Sequence, residues 1–207
     1  MRALAGIALL LFVPLAGGTA AAATLGEAQI GFSADRVLVI DGHRYQGKIW
    51  TMPGKERHEQ AIQAFRPVFL LNADSPLAEI VLPQLKTIVQ FVLPSELRLF
   101  ADPALKKHPL GKETVNGIAT TKYAIDKNLP EGHAIGALWL SAQGIPMRLL
   151  GSFTKPDGKV AKLRWELSHV HIGPQPAALF EAPHGFSKLP PEAIAPLLGL
   201  KLKALGH

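Results

Sequence analysis

From residue 32 onward, apolar and polar positions alternate along most of the chain, and turn residues break the alternation at short intervals. Residues 36–40 (RVLVI) form a β-branched apolar run that ends in Asp41-Gly42-His43, a turn of the Asp-Gly type, and residues 44–52 alternate on its far side. This pattern predicts a hairpin at the start of a sheet. Pro53-Gly54-Lys55 makes the next turn, a polar strand follows over 56–61, and an apolar strand lies around 67–72. In the last third, residues 111–115, 118–126, 136–141, 146–153 and 160–171 read as consecutive antiparallel strands. Their turns are Asn116-Gly117, Pro130-Glu131-Gly132, Gln143-Gly144 and Pro156-Asp157-Gly158.

The alternation also assigns faces. Lys162, Arg164, Glu166 and Ser168 point one way while Leu163, Trp165 and Leu167 point the other. Met147, Leu149 and Phe153 on the preceding strand make a matching apolar face, as do Leu138 and Leu140. One wet face and one apolar face along a long meander imply a curved sheet wrapped around something. No internal repeat is visible.

The middle of the chain breaks this regularity. Pro76, Pro83 and Pro94 interrupt residues 74–94, and the run LKTIVQFVL at 85–93 suits a buried strand and a short helix equally. Residues 95–107 carry polar helix formers with scattered leucines. Ser95 can cap a helix and Asp102-Pro103 would interrupt one, so this part is expected to form short helical turns or a flap. At the end of the chain, Ile194, Leu197, Leu198, Leu202 and Leu205 make an apolar helical stripe with Lys201 and Lys203 outside it. Such a helix is expected to plug or pack on the sheet, with contact to a membrane surface as the alternative.

The first residues predict where the protein works. Met1-Arg2 is followed by an apolar run to Ala16, then Gly17-Gly18-Thr19 and the alanines 20–23, the layout of a secretory signal peptide. The run is about 14 residues, short of the roughly 20 that span a bilayer. No cysteine follows to be lipidated; the 207-residue sequence has none, which also excludes disulfides and thiolate chemistry. Removing the leader takes Arg2 from the 22 basic residues set against 16 acidic ones. The remaining charge, about +5, favours anionic lipid headgroups or other acidic polymers of the envelope. The basic residues are dispersed, without an arginine-rich run or a basic aromatic platform, so nucleic-acid binding is not expected.

Catalytic constellations are weak. His169 and His171 at i and i+2 on a strand would face one side about 7 Å apart, but a His-x-His pair needs a third ligand to hold a metal. Two partly exposed residues at a strand end are the simpler reading. Alternation sends Glu56 with His58 to one face and Glu59 to the other, and a solvated polar strand is expected there rather than an acid–base pair. Ser168 and His169 point to opposite faces, no serine sits in Gly-x-Ser-x-Gly, and no glycine loop is built for phosphate. Trp50, Trp139 and Trp165 suit core packing, with a ligand cavity as the other use.

Two stretches resemble the outer-membrane lipoprotein carrier superfamily, the LolA/LolB-like proteins of the periplasm. One is Gly31-Phe32-Ser33-Ala34-Asp35 with Gly47-Lys48-Ile49-Trp50 and the following Met52-Pro53-Gly54-Lys55-Glu56-Arg57. The other is Ala178-Leu179-Phe180-Glu181-Ala182-Pro183-His184-Gly185-Phe186. Residues 111–117 and 136–141 look like strands of carrier-like proteins. The resemblance runs in order over residues 32–189; residues 67–109 do not match the carriers' lid helices, and the tail after Leu189 is extra. It implies an incomplete antiparallel β-barrel, open at one side and closed by short helices, whose concave interior binds acyl chains. It also implies that Arg57, matching an arginine of the carriers, contacts the lid. Burying an acyl chain gains about 0.8 kcal/mol per methylene, so such a protein needs apolar area rather than placed polar chemistry.

The sequence thus predicts a mainly β protein, an incomplete antiparallel β-barrel with short helices as lid or plug and a C-terminal amphipathic helix. Its parts are a signal peptide (1–23), a half-barrel domain (24–189) and an apolar helical tail (190–207). It is expected to be a soluble, monomeric, non-catalytic periplasmic protein without cofactor or metal. Its expected partner is a lipid or acylated protein, with transient membrane-surface contact. The expected cavity lining is Ile49, Leu138, Leu140, Met147, Leu149, Phe153, Leu163, Trp165 and Leu167, with the middle segment as lid. The alternative is an envelope scaffold whose cavity holds a fixed peptide segment, possibly the chain's own tail.

Overall fold

Short turns between alternating segments dictate that neighbours in sequence pair, and they do. The computed structural model describes residues 30–61, 65–75, 77–92, 107–129 and 132–191. The strands are β1 (Phe32–Ile40), β2 (His43–Met52), β3 (Lys55–Gln60), β4 (Val68–Asn72), β5 (Leu77–Leu82), β6 (Thr87–Val92), β7 (Lys107–Val115), β8 (Ile118–Leu129), β9 (Gly132–Ser141), β10 (Pro146–Thr154), β11 (Val160–Ile172) and β12 (Ser187–Leu189). They form one curved, unclosed sheet in the order β12-β6-β5-β4-β3-β2-β1-β11-β10-β9-β8-β7. Two meanders, β1 to β6 and β7 to β11, are thus joined side by side by the antiparallel β1–β11 pair. At Asp41-Gly42 and Asn116-Gly117 both turn residues have positive φ, the two-residue hairpin whose twist matches that of the strands.

One face of the sheet carries most of the buried side chains, β4 being the exception, and we call it the inner face. On β1 it carries Phe32, Ala34, Arg36 and Ile40, with the residues between them only half-buried. Registry extends this face in both directions. Leu38 lies opposite Trp165, which lies opposite Leu149, then Leu138, then Tyr123. Toward the other edge, Ile49 lies opposite His58, then Phe69, Ile80 and Val89. Two apolar clusters result. Ala78, Ile80, Leu82, Val89 and Phe91 pack with Phe69 and Leu71. Ile125, Ala134, Leu138, Leu140 and Leu149 pack with Tyr123, Leu129, Phe153, Leu163 and Trp165. A third cluster joins Phe32, Ala34 and Ile49 to Val115, Trp139, Ile145, Met147 and Leu167.

The outer face of the first meander is covered by the chain after β11. A 3-10 turn, Ala177–Phe180, buries Phe180, and Ala182 and Phe186 pack on Val68, Leu70, Val81 and Ile88. The segment then ends as β12, which pairs in parallel with β6 at the far edge. It acts as a strap across the back of the sheet.

The region expected to supply a helical lid is different where it is described. β4 falls where an apolar strand is expected, and residues 77–92 form β5 and β6, joined by a 3-10 turn at Pro83–Leu85. Pro83 starts the turn after β5, and the β-branched Thr87, Ile88 and Val89 favour the extended chain that follows. The expected flap at 95–107 reaches the described residues only at its end, where Lys107 begins β7, and the leader at 1–23 and the helical stripe at 194–205 lie outside them. No helix among the described residues is long and apolar enough to cross a membrane.

If the strap holds the first meander, Phe186→Ala should cost about 2 kcal/mol, below a fully buried phenylalanine because its ring is half-buried. Urea unfolding would give the loss, and amide exchange should speed up in β6 before it does in β10. Equal protection in both strands would contradict the strap.

Candidate functional site

The inner face is largely apolar, although register also places Lys107 and Lys127 on it toward the β7–β8 edge. Its buried polar group lies on the other side of Trp165, where an arginine alternates with buried apolar residues of β1. Arg36 is 6 % exposed. It lies opposite Gly47, which lies opposite Gln60, so its side chain crosses β2 to reach β3. Gly47 makes that crossing possible. A Cβ there would lie 3.3 Å from Arg36 Nη2 and would run into the Glu59 carbonyl oxygen.

Across that gap Arg36 Nη2 donates to Gln60 Oε1 at 2.5 Å, and Nη1 donates to His58 Nδ1 at 2.8 Å. A guanidinium can only donate, so His58 Nδ1 must accept and the proton sits on Nε2, which donates to Glu56 Oε2 at 2.7 Å. Trp165 closes the group from the β11 side, with the guanidinium 5.4 Å from its ring centroid and the His58 ring edge-on at 6.0 Å. The Trp165 indole is fixed by a 3.0 Å bond to the Pro146 carbonyl.

Alternation alone predicts a solvated Glu56–His58 pair, and the structure differs. His58 and Gln60 are buried, because their parity on β3 turns them to the inner face beside Arg36. Burial lowers the Arg36 pKa to about 10, against the stabilising charge of Glu56. Burial lowers that of His58 as well, helped by the Arg36 charge and opposed by Glu56. Arg36 Nε, Tyr45 Oη and Thr51 Oγ1 are buried without a hydrogen-bond partner. All three belong to inner-face positions of β1 and β2.

The expected lining residues divide into two groups. Leu138, Leu140 and Leu149 are buried together beside Phe153, Leu163 and Trp165, which keep partial exposure. Ile49, Met147 and Leu167 belong to the third cluster, where Met147 and Leu167 are wholly buried, and Trp165 packs against both clusters. Arg57 faces outward. It donates from Nε and Nη2 to Glu59 Oε1 and from Nη1 to the Leu179 carbonyl, so its contact is with the strap. Its guanidinium lies 5.9 Å from the Trp50 ring centroid.

Trp139 is buried, donates to Glu113 Oε2 at 2.7 Å, and lies between Lys122 and Arg148. His169 has left-handed φ in a register break and meets Asp35 at 2.9 Å, so the regular His-x-His spacing is lost. No group of three or more metal-ligating side chains occurs among the described residues.

No family model matches the chain, and no curated protein matches its sequence. Several solved structures align with it. The Pseudomonas aeruginosa MucA/MucB complex is 18 % identical at a TM-score of 0.49, covering 76 % of this chain and 57 % of that one. This chain thus spans a little over half of that protein's length. An uncharacterized conserved protein from Thermus thermophilus is 13 % identical at 0.48, covering 79 % and 92 %. A LolA-superfamily protein from Nitrosomonas europaea is 12 % identical at 0.42, covering 74 % and 91 %. One of the structures that align is thus a member of the superfamily that the sequence resembles.

The direction of the His58 shift sets a pH dependence. The unfolded chain takes up this proton near 6.5 while the folded chain resists it, so stability falls as pH drops below 6.5 and levels off below the folded pKa. The slope across that window is at most about 1.4 kcal/mol per pH unit. Comparing urea midpoints from pH 7 to 4, His58→Gln should lower stability at pH 7 and flatten this slope. An unchanged slope would assign the pH dependence to other groups.

Proposed function

We propose that this protein is a non-catalytic binding protein for an apolar ligand, a lipid or a protein's acyl chain, held against the inner face. What carries the reading is the apolar surface of β8 to β11, where Phe153, Leu163 and Trp165 remain partly exposed over the buried Leu138, Leu140 and Leu149. Ile49, Met147 and Leu167 back that surface from the neighbouring cluster. Residual exposure of large apolar side chains on an otherwise buried face leaves area that a ligand can take from water, at about 25 cal/mol per Å2. The resemblance to periplasmic lipoprotein carriers agrees with this reading, and so does the exported, soluble form expected from the leader. A monomer with transient contact to a membrane surface belongs to the same proposal. Arg57, bound to the strap, has no part in ligand uptake in it.

A second reading has one observation in its favour. β7 is the edge of the sheet among the described strands, and Leu110 on it is 59 % exposed. An edge strand with an exposed leucine suits a partner that adds a strand of its own. Under that reading the protein is an envelope interaction module.

Native mass spectrometry of protein purified without detergent from its own host separates the two. A co-purifying lipid or acylated peptide supports the carrier. An unliganded mass that stays unshifted when lipids are added overturns it. Leu163→Asp, at a half-buried position, should weaken uptake of a neutral apolar fluorophore at least about tenfold while leaving the fold intact by circular dichroism. Undiminished uptake by the folded variant would remove this face from the site.

A further inference from the structure

The inner face holds a cation that its own protein leaves incompletely paired. Arg36 is buried, yet no carboxylate among the described residues binds it directly, and Glu56 is reached only through His58. Two of its nitrogens are used, by His58 and Gln60, and the third, Nε, has no partner. Tyr45 leaves a second buried polar atom unused on the adjacent strand. It sits two residues from Gly47, the residue opposite Arg36, and points to the same face.

The chemistry of these groups is one-sided. A guanidinium Nε–H only donates and a phenol hydroxyl readily does, so what is missing is an acceptor. A buried, undercompensated charge is expensive, and an oxyanion is the group that offsets it best, through short charge-assisted hydrogen bonds. Gln60 and His58 hold the guanidinium in place and Trp165 covers it, so the donors are fixed before any ligand arrives. Trp165 also packs into the cluster with Phe153 and Leu163, so the apolar surface begins where the polar group ends.

We infer that the Arg36–Tyr45 corner binds the acidic head of an amphiphile, a carboxylate or phosphate, whose hydrocarbon chain runs over Trp165 toward Leu163 and Phe153. This rests on the apolar-ligand reading above and adds to it the charge and position of the head group. Burial lowers the Arg36 pKa to about 10 without removing its charge at neutral pH, and a bound anion would raise it again.

Titration calorimetry on the delipidated full chain tests it with dodecanoate, dodecyl phosphate, dodecanol and inorganic phosphate. The two acidic amphiphiles should bind about ten- to hundredfold tighter than dodecanol, the range that one or two charged hydrogen bonds supply. Tyr45→Phe, which removes only the hydroxyl, should narrow that gap several-fold, and Arg36→Gln should close it. If Arg36→Gln does not fold, Tyr45→Phe carries the test alone. Dodecanol binding as tightly as dodecanoate would overturn the head-group site and leave the apolar face standing. No binding of any twelve-carbon compound would overturn both. Inorganic phosphate binding as tightly as dodecyl phosphate, and weakened by Tyr45→Phe, would mark a site for a free oxyanion and overturn the lipid head.

Discussion

The buried guanidinium of Arg36 ties the inner face together. It spans three strands, β1, β2 and β3, and it can do so because Gly47 leaves room above the middle one. Its two occupied nitrogens fix the Gln60 amide and the His58 tautomer, and His58 in turn orients Glu56. Trp165 packs against this group from β11, so the same polar cluster sits at the seam where the two meanders meet. Hydrophobic burial elsewhere on the face is adaptable, whereas the bonds from Arg36 to Gln60 and His58 require one geometry, and even that geometry leaves Arg36 Nε without a partner.

The two sides of the sheet are stabilised differently. The inner side of the first meander relies on Ala78, Ile80, Leu82, Val89 and Phe91, and its outer side on contacts that the strap brings to Val68, Leu70, Val81 and Ile88. The second meander carries ion pairs on the side away from Trp165. Glu166 accepts from Arg148, Arg164 and Asn116, and Glu113 accepts from Trp139 and Lys122. Exposed pairs of this kind contribute little individually. Lys122, Arg148 and Glu113 flank the Trp139 ring, which packs in the cluster with Val115, Ile145 and Met147.

Much of this is legible in the sequence because period-two alternation and Asp-Gly or Asn-Gly turns are local signals. They locate β1, β2 and β8 to β11 and place Leu138, Leu149 and Trp165 on one face. The middle is harder. β5 and β6 are short, mostly apolar runs, which carry no periodicity to separate strand from helix, and only the pairing of β5 with β4 and of β6 with β5 decides the matter. The polar cluster stays hidden for a different reason. Alternation puts Glu56 and His58 on one face, but their burial depends on Arg36 and Gln60 arriving from register, and register is not local. The signal is present in the parity of Arg36, which alternates with Phe32, Ala34, Leu38 and Ile40. A charged residue buried at such a position needs polar partners on neighbouring strands, and here they are His58 and Gln60.

The strap has a consequence for how the chain becomes a protein. Thr87 in β6 pairs with Ser187, and β1 pairs with β11, so both closures of the first meander wait for the last part of the sequence. Pairings this distant carry a large loop-closure cost and slow folding. While the chain emerges from the ribosome, β1 to β6 can form hairpins, but both of their edges stay open and one apolar side stays uncovered. Completion of the sheet is therefore an event of the finished chain, and until then the first meander has neither its edge partners nor its outer cover.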